Sequence, residues 1–286
     1  MRRFLRNTFV LLLLAAFTSL PWPAMARAEE APRKLHPWAT FSPGAWQSIR
    51  VFTEVFDKEG RVVDTGRIRE TTTLKEVGDW GVTLEVQKSV RVAGKWLDQP
   101  PETVKQTIYG ESEDQKVAIK DLEPKTLVVE GQNVPCGVRE IQVADANSKR
   151  LQVSRLYFNN DVAPYLFKRE TTIKDSSEGT VLSETKMLVD ALRMPCRIAD
   201  RVGSAAHSRS TFKHAKGMRI TLAYASTEVP GGVVCRCTKE LDKENRLVSR
   251  SVMELIDCGL EPPADPPRRR LFPLRKKKEK EDSPGY

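Results

Sequence analysis

The chain repeats itself at a fixed interval. Tyr157, Val162, Arg169, Thr171, Asp175, Val181, Leu188 and Asp190 recur without a gap as Tyr224, Val229, Arg236, Thr238, Asp242, Val248, Leu255 and Asp257, a constant offset of 67 residues. The similar pairs Asp161 with Glu228 and Val189 with Ile256 fall on the same diagonal. Upstream, Val129-Glu-Gly-Gln-Asn-Val-Pro-Cys136 returns as Val189-Asp-Ala-Leu-Arg-Met-Pro-Cys196. Register held over so many positions is the mark of a duplicated structural unit. A weaker diagonal, 119 residues back, matches Arg50, Thr53, Gly60 and Val62 to Arg169, Thr172, Gly179 and Val181, so a degenerate third copy is expected.

The repeated unit reads as strands. Met218, Ile220, Leu222 and Tyr224 alternate with Arg219, Thr221 and Ala223, and Val82, Leu84, Val86, Val90 and Val92 alternate with Thr83, Glu85, Gln87 and Arg91. Period-two alternation buries one face of a strand. Hairpin turns are expected at Asp57-Lys-Glu-Gly-Arg61, Asp175-Ser-Ser-Glu-Gly179 and Asp242-Lys-Glu-Asn245, each between β-branched or aromatic runs. With the last turn at Glu244-Asn245, Cys237 lies opposite Val252 and Cys235 opposite Glu254. A capped, 3.6-periodic segment is almost nowhere present; Thr103 to Ile108 is the one short exception. The pattern predicts an all-β, mainly antiparallel fold with few helices: a curved sheet, half-barrel or sandwich built from repeated β units. The Pro-Cys steps are expected to be equivalent turns, with Cys136 and Cys196 at equivalent strand starts. Before the first strand, residues 35–46 hold two prolines, a glycine, Trp38, Phe41 and Trp46, which predicts an irregular, packed lead segment.

Charge is concentrated at the two ends. Met1-Arg-Arg-Phe-Leu-Arg6 precedes the apolar run Phe9 to Phe17, which is too short to span a bilayer, and small residues follow at Ala26 and Ala28. Residues 1–28 therefore read as a signal peptide cleaved after Ala28, or alternatively after Ala26. No cysteine stands just after the apolar run and no later stretch has the length of a transmembrane helix, so an exported protein is expected, periplasmic or extracellular, neither membrane-spanning nor a lipoprotein. The formal charge is +9; residues 1–28 account for four of it, and residues 261–286, with eight Lys or Arg against five acids, for three. That leaves +2 for residues 29–260, too little for the electrostatic face that nucleic-acid binding needs. Residues 261–286 read as a disordered, Pro-rich basic tail, able to meet an anionic envelope polymer or a membrane surface.

Candidate chemistry is sparse. Five cysteines, Cys136, Cys196, Cys235, Cys237 and Cys258, follow the signal segment, and in an oxidising compartment they are disulfide candidates, with one left over. Cys196 with Cys258 is the first pairing, Cys136 with Cys235 or Cys237 the second. Cys235-Arg-Cys237 puts two thiols on one strand face but has no second pair at zinc spacing. His207 and His214 flank Ser208-Arg-Ser-Thr-Phe-Lys213 in an inserted stretch that reads as a solvated loop, and as a metal pair they lack a third ligand. Trp38, Trp46, Trp80 and Trp96 serve either as core and rim of the first β unit or as a stacking platform. The acid pair Glu111 and Glu113 falls in a polar, turn-rich stretch. No nucleophile elbow, Walker loop, dinucleotide fingerprint or zinc-helix motif occurs, and no catalytic, metal or cofactor-binding residue is assigned.

The Pro-Cys step, the following strand, Tyr224-Ala-Ser-Thr-Glu-Val-Pro-Gly-Gly-Val-Val234 and the hairpin ending in Glu254-Leu-Ile-Asp-Cys-Gly259 together resemble uncharacterised secreted proteins of the planctomycete type. More distantly they resemble LolA/LolB-type lipoprotein-carrier half-barrels, over residues 120–260. The carrier resemblance implies a curved sheet over an apolar groove closed by helices. The expected organisation is a signal peptide (1–28), an N-terminal β unit (29–120), two β repeat units (121–195 and 196–260) and the tail. The expected role is a non-enzymatic envelope scaffold, without cofactor, that binds a lipid, another apolar ligand or an envelope partner. The alternatives are a cell-envelope hydrolase and a structural adhesion module.

Overall fold

A computed structural model describes residues 33–79, 81–109, 115–145 and 149–261. The signal segment, Trp80, Glu111, Glu113 and residues 262–286 lie outside the described residues. Long alternating runs become long strands: β1 (Trp46–Phe56), β2 (Val62–Gly78), β3 (Gly81–Val92), β4 (Lys95–Asp98), β5 (Glu102–Thr107), β6 (Lys116–Val129) and β7 (Gln132–Asp145). They continue as β8 (Arg150–Phe158), β9 (Leu166–Asp175), β10 (Val181–Ile198), β11 (Arg201–His214), β12 (Gly217–Ala225), β13 (Val233–Asp242) and β14 (Leu247–Gly259). Among the described residues the helical content is one 3-10 turn, Arg33–Leu35; the ambiguous stretch at Thr103 is strand β5. All fourteen strands form one antiparallel sheet, ordered β4-β3-β2-β1-β14-β13-β12-β11-β10-β9-β8-β7-β6, with β5 beside β4 on β3. The curved sheet is thus confirmed. Among the described residues it does not close into a barrel, since β6 and the β4/β5 side do not pair with one another.

The 67-residue interval maps strand onto strand. Shifting β8 and β9 by 67 gives the bounds of β12 and β13, and the cross-strand pair Ser154 with Thr171 becomes Thr221 with Thr238. The connecting loops coincide as well: Asn159 N donates to Tyr165 O at 2.8 Å, and Ser226 N to Gly232 O at 2.7 Å. The Pro-Cys steps are not equivalent turns. Val129 to Cys136 passes around the β6–β7 hairpin, where Glu130 and Gly131 both take positive φ (50° and 77°) as a two-residue turn requires. Val189 to Cys196 runs along β10, whose pairing with β11 is irregular between Val189 and Met194. The unit boundaries expected at 120/121 and 195/196 therefore fall inside β6 and β10.

The β1–β2 and β13–β14 hairpins share one turn chemistry, at an interval of 185 residues that lies off the weaker diagonal. Asp57 accepts the Glu59 and Arg61 amides at 3.0 and 2.8 Å and the Arg61 Nε at 2.9 Å; Asp242 accepts those of Glu244 and Arg246 at 3.0 and 2.9 Å and the Arg246 Nε at 2.8 Å. Gly60 and Asn245 take the left-handed position, at φ 79° and 60°.

The lead segment holds the curl. Trp38, Ala39 and Ala45 bury against Leu74, Val82 and Leu84 of β2 and β3, while Leu35 packs on Ile141, Val143 and Leu156 of β7 and β8. Strands β2 and β8 are eight places apart in the sheet, roughly 38 Å if it were flat, yet the three residues from Leu35 to Trp38 reach about 10 Å. The sheet is therefore bent around this segment, which lies on its concave face. No helix does this, because Pro37, Pro43 and Gly44 break one and the segment instead bonds outward, with Gly44 N donating to Leu74 O and Gly231 N to Pro37 O. The helical closure implied by the carrier resemblance is replaced, among the described residues, by an irregular plug.

At the unplugged end the concave face is polar. Thr53, Ser251, Thr238, Thr221 and Ser210 pair directly in that order across β1, β14, β13, β12 and β11 and line a hollow of about 660 Å³. Edge strand β6 carries Lys116, Lys120 and Lys125, with Pro124 at an irregularity in its pairing, features that block further strand addition. Two outcomes follow from the turns: Asp57→Ala and Asp242→Ala each lower the thermal midpoint by a few degrees, whereas Asn245→Gly leaves it unchanged. Calorimetric scans of the three variants check this, and a drop for Asn245→Gly equal to that for Asp242→Ala would contradict the turn assignment.

Candidate functional site

The face opposite the plug carries one continuous cross-strand row. His207, Tyr224, Cys235, Glu254, Arg50 and Arg69 are direct neighbours on β11, β12, β13, β14, β1 and β2. Over this row folds the tip of the β10–β11 hairpin. Ile198 at the tip is buried with Val229 and Val234, and Cys196, Tyr224, Leu255 and Cys258 pack against that cluster. Arg201 pairs with Glu228 at 2.8 Å and fixes the tip to the β12–β13 loop. Burying Ile198 brings about 1.5–3 kcal/mol to the docking.

Between the tip and the sheet lies a groove of about 950 Å³. Met194 and Pro195 form its roof, Val234, Leu255 and Ile256 its apolar floor, and Arg50, Arg69, Arg197 and Glu254 its polar wall. A shallower extension of about 410 Å³ continues along Phe52, Arg67 and Val252. Arg50 Nη2 donates to Glu254 Oε2 at 2.7 Å. Arg69 stacks over Trp96 at 4.3 Å and Arg67 over Phe52 at 5.4 Å, while Arg197 Nε donates to Ala199 O at 2.9 Å. Trp38 is core and Trp96 is a rim ring under an arginine. The apolar groove is thus on the convex face, not the concave one.

The five cysteines are free thiols in this structure. Cys235 and Cys237 pair with Glu254 and Val252, the register expected from the turn. Burial, reinforced by the neighbouring Cys237 thiol, pushes Cys235 up to about 11, so it is a protonated thiol near neutral pH and a poor nucleophile. His207 is two strands from Cys235, about 10 Å along the sheet, too far for a thiol–imidazole pair. Cys136 is buried among Val129, Val138, Tyr157 and Phe167, six strands from β13 and in a separate cluster, which removes the basis for pairing it with Cys235 or Cys237. Cys196 and Cys258, by contrast, share one cluster.

The histidines are not where a loop reading put them. His207 and His214 both lie in strand β11, seven residues apart and therefore on opposite faces, so they do not converge. His207 rests on Tyr224 with ring centroids 5.1 Å apart, 3.8 Å from Asp190 Oδ2, and His214 stacks on Phe212. Among the described residues no group of three His, Cys, Asp or Glu is placed to hold a metal, and no helix is long and apolar enough to cross a membrane. The groove arginines had no sequence signal, since they come from β1, β2 and the β10–β11 tip and share no local motif.

No family model matches the sequence, and no curated protein does. Among solved structures, the chain is similar to a candidate exported protein with a YmcC-like fold from Bacteroides fragilis, at 8% identity over 77% of this chain and 97% of that one, with a TM-score of 0.30. It is also similar to a candidate lipoprotein from Parabacteroides distasonis, at 12% identity over 78% and 98%, with a TM-score of 0.28. Likeness at this level carries no argument about the site.

His36 gives the pH dependence expected of the plug. It is buried, its Nδ1 accepts the Trp38 amide at 3.3 Å, and burial holds its pKa below the usual value. The neutral ring is therefore the folded form. Its contribution is complete above the unfolded value of about 6.5 and is lost as pH falls below it, where unfolding takes up a proton. Thermal scans between about pH 7.5 and 5.5 should show a falling midpoint. His36→Asn, which keeps an acceptor for Trp38 N, should flatten that fall, and an unchanged slope would contradict the assignment.

Proposed function

We propose that this chain is an exported, non-enzymatic β scaffold whose convex-face groove holds the apolar part of a ligand. The observation that carries the reading is unfilled apolar surface inside a concavity: Ile256, 43% exposed, stands beside Met194, Pro195 and Leu255 under a roof made by a separate hairpin tip. In this proposal the LolA/LolB-type carrier and the planctomycete-type secreted protein are relatives in role, not in the place of the groove, which lies on the other face of the sheet. The hydrolase alternative has its most prominent thiol protonated and two strands from His207. Adhesion through the basic tail rests on residues 261–286, all but the first of which lie outside the described residues. The test is titration of the protein with a neutral, environment-sensitive fluorescent alkyl probe. Wild type should bind saturably, and Ile256→Glu should weaken binding at least tenfold, which is about 1.4 kcal/mol, without lowering the thermal midpoint. Equal affinity in the variant would overturn the proposal.

In an oxidising compartment the same reading pairs Cys196 with Cys258, tying the roof of the groove to β14. Such a bridge contributes about 2–4 kcal/mol by restricting the unfolded chain. Non-reducing peptide mapping of protein purified from the envelope should recover a Cys196–Cys258 peptide. Recovery of both as free thiols, or of either with another partner, would contradict it.

A further inference from the structure

The groove wall is charged in a way the sheet itself does not need. Arg50 and Arg69 are directly opposite one another on β1 and β2, a like-charge pair that opposes strand pairing. Arg67, two residues along β2, faces the same way, and Arg197 arrives from the tip. Glu254 is the one carboxylate among the groove-lining residues, and it is bonded to Arg50. The nearby carboxylates are engaged elsewhere, Glu54 with Arg250 and Asp98 with the Ser89 hydroxyl. Four guanidinium groups thus face one carboxylate beside an apolar floor.

Three of those groups are also held in place. Arg69 and Arg67 lie over aromatic rings and Arg197 is tied through Nε, arrangements in which no hydrogen bond among the described residues takes their terminal N–H groups. A guanidinium fixed in this way matches the two oxygens of a carboxylate or phosphate. The groove volume of about 950 Å³ suits one small ligand rather than a macromolecule. The chain's own basic tail, eight Lys or Arg against five acids in residues 261–286, has the wrong sign for this wall.

We infer that the ligand is a single-chain amphiphile with an anionic head group, its apolar chain on Met194, Leu255 and Ile256 and its head on Arg69 and Arg197. The inference rests on the groove being a binding site, as proposed above.

The test compares three ligands of one chain length on the full-length protein by calorimetry: hexadecanoate, hexadecyl phosphate and hexadecanol, each kept monomeric. Both anions should bind at least tenfold tighter than the alcohol. Arg69→Met combined with Arg197→Met, which keeps the apolar stems, should abolish that preference while leaving hexadecanol affinity unchanged. Equal affinity of wild type for all three, or a preference that survives the double variant, would overturn the head-group inference and leave the apolar groove standing. Binding of none of the three would overturn both. Inorganic phosphate binding as tightly as hexadecyl phosphate would reduce the groove to a plain anion site and overturn it. So would co-sedimentation with phosphatidylglycerol vesicles that excess hexadecanoate does not displace, since it assigns the arginines to a membrane surface.

Discussion

Trp38 is buried against β2 and β3, and three residues earlier the half-buried Leu35 packs against β7 and β8. A sheet whose two edges are unpaired has no hydrogen bonds to hold its curvature, so contacts across the concave side must do so. A buried tryptophan truncated to alanine costs about 3–5 kcal/mol, a large share of the 5–15 kcal/mol that separates folded from unfolded states. This anchoring sets the bend at one end, and the other end needs no apolar filling. There Ser210, Thr221, Thr238 and Ser251 stand side by side on neighbouring strands and line the hollow, with the Thr221 and Thr238 hydroxyl groups in hydrogen-bond contact at 3.3 Å.

The consequence is an inversion of the usual arrangement. Apolar surface left over from the concave face appears on the convex one, where β12 to β14 present Tyr224, Val234 and Leu255. The long β10–β11 hairpin covers part of it and leaves the rest as the groove. Its reach depends on the irregular pairing between Val189 and Met194, where Arg193 takes a positive φ of 52° and β10 bends away from its ladder. Roof and floor therefore belong to different parts of the repeat, and the groove exists because the second copy has been bent over itself.

Much of the fold was legible in the sequence, because strand length, register and turn chemistry are local. The 67-residue interval carried β8 and β9 onto β12 and β13, and one turn sufficed to place Cys237 opposite Val252. The Pro-Cys match misled, since the same residue string serves as a hairpin turn after Val129 and as part of a bent strand after Val189. His207 and His214 were misplaced because the stretch absent from strict alternation still pairs throughout with β12. The site was almost illegible. Arg50, Arg69, Arg197 and Ile256 are brought together by the order of strands in the sheet, where β14 pairs with β1 across the whole chain, and no spacing in the sequence encodes that pairing.

The apolar groove lies on the convex face, beneath the β10–β11 tip, and the polar hollow on the concave one, so the proposed ligand would label residues on one side of the sheet only. Photolabelling with a hexadecanoate bearing a diazirine on its chain, followed by peptide sequencing, reads this directly. Adducts are expected on Met194 to Arg197 and on Leu255 or Ile256. Adducts concentrated on Ser210, Thr221, Thr238 or Ser251 would place the ligand inside the curl and contradict it.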